Sequence, residues 1–533
     1  MRMRFGFACV LLMAVGLSSP AASASQQIDV TEMTVADVQA GYAAGDFTAV
    51  QLTQAFLDRI EQYEDHYNAF ISMNPHALRL AAELDEEFEA TGPRGPLHGV
   101  PVVIKDNIDY EGQVTTAGFS GFSSLTGGVD MIPGRDASVV ERLQAAGAIV
   151  LGKTNLPDFA GHGTRTESSV AGVTLNPYNT DKVPGGSSGG TATAVNASFA
   201  VFGLGTETGG SIQNPASAQG LVGVKPTYGL TPIDGIVPLS GSYVDVVGPI
   251  ARSVRDAALA LDVLSGPTPE DPATYSAVGH TPEDGYLAGL DESSLAGKRF
   301  GLVGLGWRDQ FLPLHEDTEV QYRRAVADLE ALGAEVVEDP FLGSGFKEIY
   351  GERRGVPSQG AYDMLMYLRG LGPEAAFHSV EEWERLSGQT FRRGRGRGGE
   401  PTPPARPSAT EAGDAFQAWR MQIREVFRGV MEENDLDGLF FPQAGVPNRD
   451  LIEDPERPEF KPNNWAELPS NVINDIGLPT VTVPYGYFAD GTPFVLAFIG
   501  DTWTEKELLG FAWAFERAYP ARRAPALVEK PGS

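Results

Sequence analysis

The clearest periodicity along the chain is helical. In TAVQLTQAFLDRIEQYE, which begins at Thr48, Leu52, Phe56 and Ile60 recur on one helix face and predict an amphipathic helix. Near residue 97 the texture changes. HGVPVVIKDNID carries the β-branched run Val102, Val103 and Ile104, which predicts a buried strand ending at Lys105. DASVVERLQAAGAIVLGKTN then joins a helix to a strand: Val139, Val140 and Leu143 form the apolar face, Asp136 is the expected N-cap, Gly147 the stop, and residues 148–151 the strand. TEVQYRRAVADLEALGAEVVEDP repeats this order, with Thr318 as expected cap, Gly333 as stop and Val336-Val337 in the strand. Such units imply an α/β class, a mixed sheet covered by helices. Later, NDIGLPTVTVPYGYFADGTPFVLAFIG alternates strand runs with Gly/Asp turns, and TWTEKELLGFAWAFERAY predicts a terminal helix. No fixed-period repeat is present. FRRGRGRGGEPTPPARP, residues 391–407, is too rich in Gly, Pro and Arg for regular structure and reads as an exposed solvated loop.

Length and composition narrow the function. A chain of 533 residues with 42% hydrophobic and 21% charged residues is a globular protein large enough for several domains or one large one. Its formal net charge of −30 argues against nucleic acid and against anionic membrane surfaces as partners. The first 24 residues have the form of a secretory signal peptide: Arg2 and Arg4, an apolar run from Phe5 to about Leu17, and the small residues Ala22-Ser23-Ala24. That run falls short of the roughly 20 residues of a membrane span, so no stable membrane association is expected after cleavage. The single cysteine, Cys9, lies in this segment. The mature chain would hold no disulfide, thiol nucleophile or thiolate metal site, which suits a bacterial periplasm or exterior.

Three chemistries compete for the remaining motifs. The seven histidines form no metal-binding spacing, and His162 with Asp158 does not make a site. GGSSGG resembles a phosphate cradle but lacks the lysine and strand context of a P-loop. For acyl transfer, residues 185–189 fit G-x-S-x-G and would make Ser187 the nucleophile of an α/β-hydrolase-type esterase. Against this, the motif follows the turn-rich LNPYNTDKVP, and no histidine follows His378. Lys105 offers another base, since burial or nearby positive charge renders an amine neutral at working pH.

The run GGSSGGTATAVNASFAVFGLGTETGGSIQNPASAQGLVGVKPTYG, with HGVPVVIKDNID and GKTNLPDFA upstream and GLPTVTVPYG downstream, resembles the amidase signature enzymes from about residue 30 to 520. The resemblance implies one amidase domain over residues 25–533 and hydrolysis of a linear amide C–N bond by a Ser–cis-Ser–Lys triad. Ser211 would be the nucleophile, Ser187 the bridging serine across a cis non-proline peptide, and Lys105 the base. Backbone N–H groups at Thr208, Gly209 and Gly210 would serve the oxyanion. Ser188 is expected to support the loop. No metal or organic cofactor is required, the partner is a small-molecule or peptide amide, and a lysine base implies activity at neutral to alkaline pH. Two departures stand out: Glu207 and Gln213 occupy positions where many members have Asp and Arg. A signal peptide also argues against a role in a tRNA amidotransferase. Phe119, Phe122 and Tyr178 are candidate pocket or core residues. A non-catalytic binding protein on the same scaffold is the remaining alternative.

Overall fold

The computed structural model describes residues 28–240, 243–309, 312–353, 360–391, 410–452, 468–469 and 471–529. The expected signal segment lies outside these residues, as does the expected loop beyond Phe391.

The strands are β1 (Phe70–Met73), β2 (Pro101–Lys105), β3 (Ile149–Thr154), β4 (Glu167–Ser168), β5 (Gly172–Val173), β6 (Phe202–Glu207), β7 (Val222–Lys225), β8 (Val246–Ala251), β9 (Arg299–Leu302), β10 (Glu335–Val337), β11 (Gly438–Pro442), β12 (Thr480–Tyr487) and β13 (Pro493–Ile499). All but the small β4–β5 pair join one 11-stranded sheet in the order β1-β3-β2-β6-β8-β7-β12-β13-β11-β9-β10. It is mixed: β2 runs parallel to β3 and β6, and β9 parallel to β10 and β11, while β12 and β13 form an antiparallel hairpin. Every residue of β2, β3, β6, β7, β8, β11 and β13 is buried, as expected of strands covered on both faces by helices. The α/β single-sheet expectation therefore holds.

The helix Ala49–Tyr67 buries Leu52, Phe56 and Ile60, the three residues that announced it, and Thr48 closes a capping box with Gln51. Two expected caps are corrected. Ala137, not Asp136, precedes the helix Ser138–Ala145 and makes no side-chain cap bond. Asp136 instead accepts the Glu111 amide at 2.7 Å and Gln144 Nε2 at 3.0 Å, tying the preceding loop to the helix. Thr318 is buried within the first turn of the helix Glu316–Ala331, and the ring of His315 accepts the Asp317 amide. Both stops occur where read, with Gly147 and Gly333 at φ 93° and 89°. The strand predicted at 148–151 runs on to Thr154, which brings the fully buried Lys153 into the sheet.

Candidate active site

Strand β2 delivers Lys105 to the site. Its neighbours Ile104 and Val103 anchor the strand in the core, and the Lys105 side chain is completely buried. Its amine nitrogen Nζ lies 2.7 Å from Ser187 Oγ, 2.9 Å from Thr206 Oγ1 and 3.2 Å from the Thr206 carbonyl. All three partners are neutral. Burial therefore dominates and pulls Lys105 from 10.5 down to about 7, with the charges of Glu207 and Asp245 opposing the shift. Thr206 was not foreseen as a partner, although it sits in the GTET run at the end of β6. Asn107 Nδ2 donates to its hydroxyl at 3.0 Å.

The serine loop precedes the helix Gly189–Asn196. The Gly186–Ser187 peptide is cis. Gly185 has φ 76°, and a Cβ there would run into the backbone of Pro215, so both conformation and space require glycine. Ser187 is completely buried beside Lys105. Ser188 is committed to the scaffold: its amide donates to the Ser211 carbonyl at 3.2 Å, and its hydroxyl bonds the Thr206 carbonyl at 3.2 Å. The two serine loops are therefore stitched together directly. No strand leads into residues 185–189, so Ser187 does not sit on a strand-to-helix elbow.

Ser211 lies at the floor of an open cleft of about 420 Å³, together with Thr208, Gly209, His162, Leu239, Asn471 and Arg353. It is 6% exposed, whereas Ser187 is 0% exposed. Among the described residues, the amides of Thr208, Gly209 and Gly210 donate to no protein oxygen. A Cβ at Gly209 would collide with Asn471 Oδ1. The loop is held from behind by Glu207, whose carboxylate accepts the Ile212 amide at 2.7 Å, the Gln213 amide at 3.1 Å, the Gln213 side-chain amide, and Asn474 Nδ2 at 2.7 Å. Glu207 and Gln213, the two departures, thus bond each other. Asn474 comes from 267 positions away and carries no local signal.

The aromatic candidates fall elsewhere. Phe122 is 1% exposed in a second core cluster with Phe159, Phe377 and Trp383, and Phe119 packs against it. Tyr178 bonds the Arg523 carbonyl and packs on Tyr487. His162 accepts the amides of Thr164 and Arg165 through Nδ1, and no three His, Cys, Asp or Glu residues are grouped to hold a metal among the described residues.

A buried lysine on a fully covered strand, a serine touching it, and a second serine in a cleft are the groups this geometry offers for acyl transfer. The profile of the family described as Amidase matches residues 51–509, and the chain belongs to the amidase signature family of C–N hydrolases. Curated relatives include a glutamyl-tRNA(Gln) amidotransferase subunit of Alkaliphilus metalliredigens, 33% identical over 92% of this chain and 96% of that protein. The same subunit from a Synechococcus strain is 34% identical over 94% and 100%. Among solved structures, the peptide amidase of Stenotrophomonas maltophilia superposes with a TM-score of 0.76 at 33% identity, covering 93% of this chain and 99% of that one. The corresponding amidotransferase subunit from Thermotoga maritima gives 0.66 at 27% identity, covering 94% and 99%.

Proposed function

We propose that the protein is an exported amidase that hydrolyses a linear carboxylic amide through an acyl-serine intermediate. Ser211 is the nucleophile, Ser187 the proton relay and Lys105 the base. The observation that carries this reading is the 2.7 Å contact between a completely buried lysine amine and Ser187 Oγ. Near neutral pH the amine is substantially uncharged, so it can accept the Ser187 proton as Ser187 accepts that of Ser211. Ser211 Oγ then bonds to the amide carbon. The carbonyl π electrons move onto oxygen, where the free amides of residues 208–210 stabilise them. Collapse expels the amine, which takes its proton back through Ser187. Water, deprotonated along the same route, releases the acid and regenerates Ser211.

The test is covalent. A fluorophosphonate should label Ser211 in the full chain, and Ser211→Ala should lose both labelling and amine release. Labelling at Ser187 that persists in Ser211→Ala would instead favour the esterase reading. Export rests on the first 24 residues alone. Fractionation of cells expressing the full chain, with N-terminal sequencing, should find a shortened chain outside the cytoplasm; an intact cytoplasmic chain refutes it.

The names of the curated relatives favour a second reading, in which the chain works inside an amidotransferase. The better superposition on a peptide amidase, 0.76 against 0.66, supports a stand-alone hydrolase. Release of ammonia or amine by the purified chain alone separates the two.

A further inference from the structure

Behind the Ser211 cleft lies a second cavity of about 640 Å³, lined by the carboxylates Asp109, Asp234, Asp245, Glu270, Asp271 and Asp363. Arg135 is the one basic residue among the described residues that line it. These groups come from the loop after β2, the segment between β7 and β8, the turn near residue 271 and the helix Gly360–Gly370. The cavity abuts the cleft twice. Pro238 lines the cavity while its neighbour Leu239 lines the cleft. Asp245 lines the cavity and accepts the hydroxyl of Thr208, a cleft residue, at 2.6 Å.

Arg135 acts on this wall from within the cavity, and the buried Lys153 favours the charged form of Asp109 from the core side. Arg135 reaches Asp234 at 3.1 Å and Glu270 at 3.8 Å. Asp271 is served by the uncharged amides of Ile233 and Ala273. Asp109 is 4% exposed and receives Thr115 and Tyr367 hydroxyls on the same oxygen, Oδ1, which leaves Oδ2 without a donor among the described residues. The Asp234 side chain is 7% exposed, and its Oδ1 accepts no hydrogen bond. Asp234 Oδ1 is sealed from the cavity, whereas Asp109 Oδ2 is a donor-free carboxylate oxygen of a cavity-lining residue that a ligand's N–H group would complete. Tyr228, Tyr367 and Met366 supply apolar walls suited to the stem and face of an organic cation. The absence of any three-carboxylate cluster at metal spacing among the described residues points to an organic cation over a metal ion.

We propose that this cavity is a subsite for an ammonium or guanidinium group carried by the substrate, so that the preferred amides are cationic. The proposal rests on the amidase reading of the Ser211 cleft. Burial pushes Asp109 up to about 6, so its charge is in place at the neutral to alkaline pH at which Lys105 is active. The chain's net charge of −30 further raises the local concentration of such substrates at low salt.

The probes are N-acetyl-L-arginine amide and its uncharged near-isostere N-acetyl-L-citrulline amide, with ammonia release measured on the full chain. The arginine compound should show a kcat/KM at least about tenfold higher. Two variants should bring that ratio toward one: Asp109→Asn, which neutralises the buried acceptor, and Met366→Lys, which adds a cation at a residue 46% exposed. Equal rates in the wild type, or a ratio untouched by both variants, overturns the subsite. If neither amide is hydrolysed, the amidase reading fails separately, and the subsite is read from protection of Ser211 against a fluorophosphonate. Arginine-selective protection lost in both variants supports it, and unselective or absent protection overturns it.

Discussion

Replacing Lys105 by methionine tests the electrostatics of the site apart from its chemistry. The amine has no charged partner and no solvent, and its value falls from 10.5 to about 7. In the unfolded chain the same amine stays protonated to about 10.5. Between these limits the unfolded state therefore binds one more proton, and stability rises with pH. At about 1.4 kcal/mol per pH unit, the wild type should gain roughly 4 kcal/mol from this group between pH 7 and pH 10.5. Below about 7 both states are protonated and the contribution levels off at its low value. Lys105→Met has the same neighbours and no proton to lose. Other groups that titrate in the window cancel in the comparison of the two proteins. Urea unfolding of the full chain and of Lys105→Met at pH 7, 8.5 and 10 should show the wild type gaining relative to the variant at each step. A gap that stays constant across this range refutes the depressed amine. In parallel, wild-type kcat/KM should rise through an acid limb near pH 7 and level off above it, and Lys105→Met should lose activity by about 10²- to 10⁴-fold, the usual worth of a positioned base.

Glu207→Gln removes a charge that favours protonated Lys105, so the acid limb of any residual activity should move to lower pH. The same change sets a side-chain amide against donors from Ile212, Gln213 and Asn474, and should lower kcat at least about tenfold while costing about 1–3 kcal/mol in urea unfolding. Ser188→Ala should leave Ser211 labelled by fluorophosphonate but lower the melting temperature, because its hydroxyl bonds Thr206 and takes no part in the relay. A Ser188→Ala protein of wild-type stability that has lost labelling would reverse the assigned roles of the two adjacent serines.

Period and punctuation made the scaffold legible. The strand ending at Lys105, the helix face at Leu52, Phe56 and Ile60, and the glycine stops at 147 and 333 follow from local rules, and each stands in the structure. The caps were less legible because cap identity depends on where the chain enters the helix. Asp136 is pulled aside by the Glu111 amide, and Thr318 is drawn into the core. Motifs brought Lys105, Ser187 and the Ser211 loop forward, but their supports arrive from far along the chain. Thr206 meets Lys105 across 101 positions, and Asn474 meets Glu207 across 267. The acidic cavity had no local signature at all, since residues 109, 234, 271 and 363 converge only when the sheet and its helices assemble.

The sheet itself decides which of two buried lysines on adjacent strands is free of an anion in contact. Lys105 ends β2 and Lys153 lies on the adjacent parallel strand β3, paired in register with Ile104. Both are completely buried. Successive residues of an extended chain project to opposite sides, and the contacts separate accordingly. Lys105 meets Ser187 and Thr206, whereas the next residue, Asp106, meets Lys153 at 3.0 Å. Asp106 also accepts the Thr116 amide at 3.0 Å and the Thr116 hydroxyl, while Lys153 reaches Thr115 Oγ1 at 2.6 Å. A carboxylate one residue away in sequence is thus engaged by the neighbouring strand and leaves the Lys105 amine without an anion in contact. Asp106→Asn breaks the pair and leaves the buried Lys153 without a carboxylate in contact, linked to Asp109 only through Thr115, which should destabilise the fold by about 3–5 kcal/mol. Because Asp106 does not touch Lys105, the folded fraction of that variant should keep the wild-type acid limb in kcat/KM, measured with active enzyme counted by fluorophosphonate titration. A limb displaced by a full pH unit would show that the two lysines share one electrostatic system.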